Sequence, residues 1–168
     1  CILFTWPSDG MVTNYLPDRS DARESAPDLA DLLGNLYDWL IQKQEATGGK
    51  ACRAKTSMIA HSMGNYLLQN AMQIVWTRKN QPLLTSLLNQ LIMVAADVDN
   101  DLFKSGELTD KSDGDAIANL TYRVTALYTG LDDVLGMSAG LKHFGKRRLG
   151  RSGLDLRYET PDNVWHYD

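Results

Sequence analysis

Two hydrophobic rhythms run along this chain. Short, mostly apolar runs occur at residues 1–6, 54–60, 90–96, 122–128 and 163–167, and each reads as a strand. The run at 90–96 is almost wholly apolar, the pattern of a strand covered on both faces. Between these runs apolar residues recur three and four apart. Leu29, Leu32, Leu33, Leu36, Trp39 and Leu40 form one stripe of a helix predicted over 20–44. Ser20 is its expected N-cap, and Pro27 predicts a kink or restart near Ala26. Gly48-Gly49 is expected to end it. Leu67, Leu68, Ala71, Met72 and Val75 form the inner face of a second helix over 63–78, and a shorter one is expected near 113–119.

Pro7, Gly10, Asn14 and Pro17 mark 7–19 as a loop, the polar residues around Pro82 mark a break, and 136–153 reads as a glycine-rich, basic segment. Strands alternate with helical segments, and the connections are too long for hairpins. The pattern predicts a single α/β domain over 1–168, a three-layer α/β/α sandwich with a mostly parallel sheet.

Composition narrows the classes without choosing one. The 168 residues are 43% hydrophobic and 23% charged, values of an ordinary globular domain large enough to bury a core. The net charge of −4 gives no electrostatic footprint for nucleic acid. The basic cluster Lys142, Lys146, Arg147, Arg148 and Arg151 reads as a solvated loop. Cys1 and Cys52 cannot form a disulfide framework, no spacing resembles a metal site, and no cofactor is implied. No apolar run reaches the length of a membrane span. A strand-like run at Cys1 suggests an N-terminus cut from something longer, so localisation is not legible, and neither is oligomeric state.

The candidate chemistry lies at Met58-Ile59-Ala60-His61-Ser62-Met63-Gly64. An apolar run climbs to a serine, glycine follows two residues later, and a helical pattern starts at once. That is the layout of a nucleophile elbow, with the small residues Ala60 and Gly64 flanking the strained Ser62 and the Met63 amide placed as an oxyanion donor. The competing reading is a strand-to-helix turn in which Ser62 caps the helix. His61, next in line, points away in a strand and is expected to pack or support.

A serine nucleophile needs a base and an acid. Asp132 follows the fourth strand at the ligand-binding edge of a parallel sheet; Asp133 is its neighbour, and Asp97, ending the third strand, is the alternative acid. Each reads equally as a loop carboxylate capping the next helix. After Asp132 only His143 and His166 remain; His166 lies within the last predicted strand, and the sequence stops at Asp168, where a catalytic loop is expected to begin. Trp6 and Met63 can line an apolar acyl site or simply pack. No glycine-rich phosphate loop follows a strand, which argues against nucleotide binding.

Several stretches together are similar to one family. These are Phe4-Thr5-Trp6-Pro7-Ser8-Asp9-Gly10, Tyr15 with Asp18-Arg19, and Ala60-His61-Ser62-Met63-Gly64-Asn65. Ala95-Ala96-Asp97-Val98-Asp99-Asn100-Asp101-Leu102-Phe103, Tyr128-Thr129-Gly130-Leu131-Asp132-Asp133-Val134-Leu135 with Ser138, and Arg148-Leu149-Gly150 continue the set. In that order they resemble the α/β-hydrolase family of unknown function DUF900 over nearly the whole chain. The resemblance implies a partial α/β-hydrolase core truncated at both ends, with Ser62 as nucleophile and Asp132 as acid. It also implies a second oxyanion donor upstream of Cys1 and a closing histidine beyond the stretch 163–168. Three functions remain open: hydrolysis of a small acyl substrate, acyl transfer to an alcohol, and a non-catalytic binding module on the same fold.

Overall fold

The structure is a computed structural model that describes residues 1–46, 55–78, 86–104, 114–141 and 145–168. Helices α1 (Tyr15–Glu24) and α2 (Ala26–Ala46) precede strand β1 (Ser57–His61) and helix α3 (Gly64–Arg78). Then come β2 (Leu88–Val94), α4 (Asp115–Leu120), β3 (Thr121–Leu127), α5 (Asp133–Leu141), α6 (Leu149–Ser152) and β4 (Val164–Tyr167). The four strands form one parallel sheet in the order β1-β2-β3-β4. Both the α/β class and the parallel sheet with flanking helices follow the alternation read from the sequence.

Alternation along the strands builds the core. Ala60 pairs with Met93, Met93 with Ala126, and Ala126 with His166, so these four stand level on one face. Leu91, Met93, Val124 and Ala126 on that face are buried. They join Leu67, Leu68, Met72 and Val75 of α3 and Leu29 and Leu33 of α2 in one cluster. Each large side chain so buried contributes about 1.5–3 kcal/mol of transfer free energy. The intervening residues Ile59, Leu127, Trp165 and Tyr167 point from the other face and are exposed.

Several expectations need correction. Residues 1–6 form no strand: Ile2 and Leu3 are exposed, and Phe4 and Trp6 are partly buried against the core. The alternation is strand-like, but no neighbour among the described residues pairs with its backbone, and a strand persists only within a sheet. The loop expected over 7–19 contains a 3-10 turn, Val12–Asn14, and α1 already begins at Tyr15. Pro17 in the first turn costs no hydrogen bond there, and Asp18 suits the positive end of the helix. Ser20 is therefore internal to α1, where its hydroxyl lies 3.3 Å from Glu24 Oε1. The restart near Ala26 is present, as a break at Ser25 with Pro27 in the first turn of α2. The segment 136–153 hides the helix α5, which its glycines obscured. Gly48-Gly49, Cys52, Pro82, Asp113, Lys142 and His143 lie outside the described residues.

Candidate active site

β1 ends at His61, and the chain turns through Ser62 into α3. Ser62 has φ 50°, in the left-handed region that disfavours any residue with a side chain. The turn is held from all sides. The Ser62 N–H donates to the Val94 carbonyl at 3.0 Å, and the Ser62 carbonyl accepts the N–H groups of Asn65 at 3.1 Å and Asp97 at 3.2 Å. The buried Asn65 amide also donates to Ser62 O and Ala60 O, each at 3.1 Å. A Cβ on Gly64 would lie 3.4 Å from the Trp6 ring, so the indole roofs the first turn of α3. The Ser62 hydroxyl and the Met63 N–H have no hydrogen-bond partner among the described residues, and neither do the buried Trp6 indole N–H and Asn65 Oδ1 beside them. The Met63 N–H stands just before the N-terminus of a 15-residue helix, where partial positive charge collects.

Ser62 opens onto a cavity of about 450 Å³. Trp6, Met11, Met63, Val134 and Met137 give it apolar walls; Ser8, Tyr15, Asp18, His61 and Ser138 are among its polar lining. Most of that polar lining is turned back into the protein. The buried Asp18 carboxylate accepts the N–H groups of Asp9 at 2.9 Å and Gly10 at 3.1 Å. The Asp9 amide above all, aided by Ser8 and Gly10, holds its carboxyl below the usual carboxylate range. Tyr15 donates its phenol proton to Asp97 at 2.6 Å, and the Ser138 hydroxyl lies 3.2 Å from the same carboxylate. Burial, reinforced by the Asp97 charge, raises the Tyr15 pKa and keeps the phenol neutral.

The candidate acids separate clearly. Asp97 is 2% exposed and sits in a knot. Its carboxylate accepts Arg148 Nε at 2.8 Å, and its carbonyl accepts Arg148 Nη2 at 2.9 Å. Arg148 also reaches Asp99, which binds Lys146 at 2.9 Å. The wholly buried Arg148 corrects the expectation of a solvated basic loop, although Lys146 and Arg147 are exposed. A guanidinium goes inside only when carboxylates and carbonyls meet its donors, as Asp97 and Asp99 do here. Gly150 completes the lock: a Cβ there would overlap the backbone of Ala95 and Ala96.

Asp132 follows β3 and is half-buried. Its carboxylate accepts the Leu135 N–H at 2.9 Å and so caps α5, and its carbonyl accepts Arg151 Nη1. It does not line the Ser62 cavity. Asp133 is exposed, 3.7 Å from Arg151. His166 stands in β4 with Nδ1 accepting the Leu154 N–H at 2.9 Å and its ring stacked on Tyr128. The register sets it level with Ala60 but three strands away, about 14 Å at the usual strand spacing, so Ser62 and His166 are not brought together. His61, expected to pack, is exposed and borders the cavity. The roles of Tyr15, Ser138 and Arg148 were not derivable from periodicity; the only signal was their place among the family landmarks.

Among the described residues no group of three or more His, Cys, Asp or Glu side chains could hold a metal ion. No described helix is long and apolar enough to cross a membrane.

Comparison with known proteins supplies the family. The model of the family described as "Alpha/beta hydrolase of unknown function (DUF900)" matches residues 1–158. The chain is also similar to the uncharacterized protein alr1448 of Nostoc sp., at 33% identity over 79 residues. That segment is 47% of this chain and 18% of the relative, so the chain spans a minor part of the relative's length. No solved structure matches it.

Proposed function

We propose, from the premise that this chain belongs to the family of alpha/beta hydrolases of unknown function, that it carries out serine hydrolysis of an ester or related acyl bond. The observation that carries the reading is Ser62 itself. Its backbone is turned through φ 50°, its hydroxyl is unpartnered among the described residues, and it faces a cavity at the start of α3. Strain of this kind persists only where the surroundings hold it, and here Val94, Asn65 and Asp97 do so.

In this reading Ser62 Oγ bonds to the acyl carbon while an imidazole takes its proton. The Met63 N–H supports the negative charge that develops on the acyl oxygen. The ester C–O bond then breaks, the alcohol leaves with the proton, and water releases the acid in a second attack. Asp132 is the proposed acid, because it emerges from β3 at the same sheet edge as Ser62. The base is the open member. His166 is committed to Leu154 and stands far from Ser62, His61 borders the cavity, and His143 lies outside the described residues.

The test is a fluorophosphonate probe on the full-length protein. Wild type should label at one serine, and Ser62→Ala should not label, because the oxygen that the probe would bond to is gone. His166→Asn should label at the wild-type rate, and the histidine variant that loses labelling identifies the base. One observation favours a second reading, a non-catalytic binding module: the Asp132 carboxylate caps α5 and the His166 ring is engaged elsewhere. Wild type that never labels, in a folded protein, would select it.

A further inference from the structure

We propose that the cavity beside Ser62 binds an uncharged, unbranched aliphatic acyl chain, so that the preferred substrates are medium-chain monocarboxylic esters. This rests on the serine hydrolase reading above and names its substrate class. The argument starts from what the polar lining has left to offer. Asp18 is occupied by the amides of Asp9 and Gly10, Ser8 accepts Gly10 N–H at 3.2 Å, and Tyr15 and Ser138 are turned to Asp97. Among the described residues no lysine or arginine lines the cavity, so no permanently cationic side chain there pairs with an anionic substrate group. The buried Asp18 and Asp97 carboxylates close by would repel one.

Apart from Ser62, His61, Thr13 and the unpartnered Trp6 indole N–H, what the described lining leaves for a ligand is apolar. Trp6 and Met63 lie toward the Ser62 corner, Met11 comes from the loop before α1, and Val134 and Met137 sit three apart on one face of α5. Met11, Val134 and Met137 are 56%, 60% and 51% exposed, so apolar surface on two facing segments stands open to water. A chain lying between them would cover both. Thioethers have three rotatable bonds and adapt to a flexible alkyl chain more readily than branched residues do. The volume of about 450 Å³ holds roughly fifteen water-sized groups at about 30 Å³ each, which suits an acyl chain of eight to ten carbons with its ester.

The experiment has two arms on the full-length protein. In the first, p-nitrophenyl esters from acetate to decanoate are compared. The ratio kcat/KM should rise about fourfold per added methylene until the cavity fills. Val134→Asp and Met137→Glu, both at exposed positions that tolerate charge without unfolding, should flatten that slope. Lengthening the alcohol of an acetate ester should produce no comparable rise. In the second arm, 1-octanol is titrated into Ser62→Ala and read by tryptophan fluorescence, with Trp6→Phe as control. Binding should weaken at least tenfold in Met137→Glu.

A flat or falling acyl series, with hydrolysis that Ser62→Ala abolishes, overturns the acyl cavity and leaves the nucleophile standing. Octanol binding with neither hydrolysis of any ester nor labelling at Ser62 upholds the cavity's ligand class and removes the serine chemistry. Failure to bind octanol overturns the proposal outright.

Discussion

Ser62 and Ala95 stand at the ends of neighbouring parallel strands, and both backbones turn through the left-handed region, at φ 50° and 45°. The corners share their strain and differ in what surrounds them. Beyond Ser62 lie a cavity, an unpartnered amide and the start of α3. Against Ala95 lies Gly150, packed so closely that no side chain fits, with Arg148 and Asp97 locked behind it. Strained backbone is thus not in itself a site. It becomes a candidate site where it lifts a reactive group toward open volume; elsewhere it is the cost of bringing two segments into close contact. The corners are also joined, because the Asp97 amide just past Ala95 holds the Ser62 carbonyl.

The sealed corner can be broken in two ways. Arg148→Met removes the closer counter-charge of the buried Asp97 and leaves only Arg19, 3.9 Å away, which should cost about 3 kcal/mol. That corresponds to a fall in Tm of roughly 10 °C for a domain of this size. The double variant Arg148→Met/Asp97→Asn should lose less than Arg148→Met alone, because it removes a buried charge that Arg19 alone compensates poorly. An equal or larger loss in the double variant would mean that hydrogen bonding by Asp97, not its charge, holds the knot. Gly150→Ala is the next largest, about 1–3 kcal/mol of destabilisation by denaturant titration, since the new methyl overlaps backbone that cannot move aside. Gly64→Ala at the open corner should go the other way or do nothing. Its methyl meets only the Trp6 ring at ordinary contact distance, and alanine favours the helix.

How much of this was legible in the sequence depended on how local the cause was. The stripe Leu67, Leu68, Ala71, Met72 and Val75 revealed α3 because helical burial repeats within one segment. Strands β1 to β4 were visible for the same reason, to within two or three residues at the described ends. Residues 1–6 misled because their strand-like alternation has no pairing partner among the described residues, and pairing is a property of two segments. Arg148 misled more: among Lys146, Arg147 and Arg151 it looks like one more surface charge, and Asp97 and Asp99, 51 and 49 residues away, explain its burial. Ser62 was legible because its corner is a local device of strand, tight turn and helix. The environments of Asp132 and His166 were not, since α5 and Leu154 engage them only in the folded chain.

The finest comparison uses glycine at both corners. A side chain at positive φ costs about 1 kcal/mol against glycine, part of which returns because glycine leaves the unfolded chain freer. Ala95 lies outside the hydrophobic core cluster, so its methyl is not a packing element of consequence. Ala95→Gly should therefore stabilise the protein slightly, by about 0.5 kcal/mol, and raise Tm by 1–2 °C. Ala95 does not line the cavity, so fluorophosphonate labelling should hold at the wild-type rate. Ser62→Gly should give a similar gain in stability and lose labelling entirely. Equal stability with divergent reactivity is what two like corners with unlike surroundings require. A loss of stability in Ala95→Gly would mean that Gly150 presses on the alanine methyl and that the seal, not the turn, sets the backbone there.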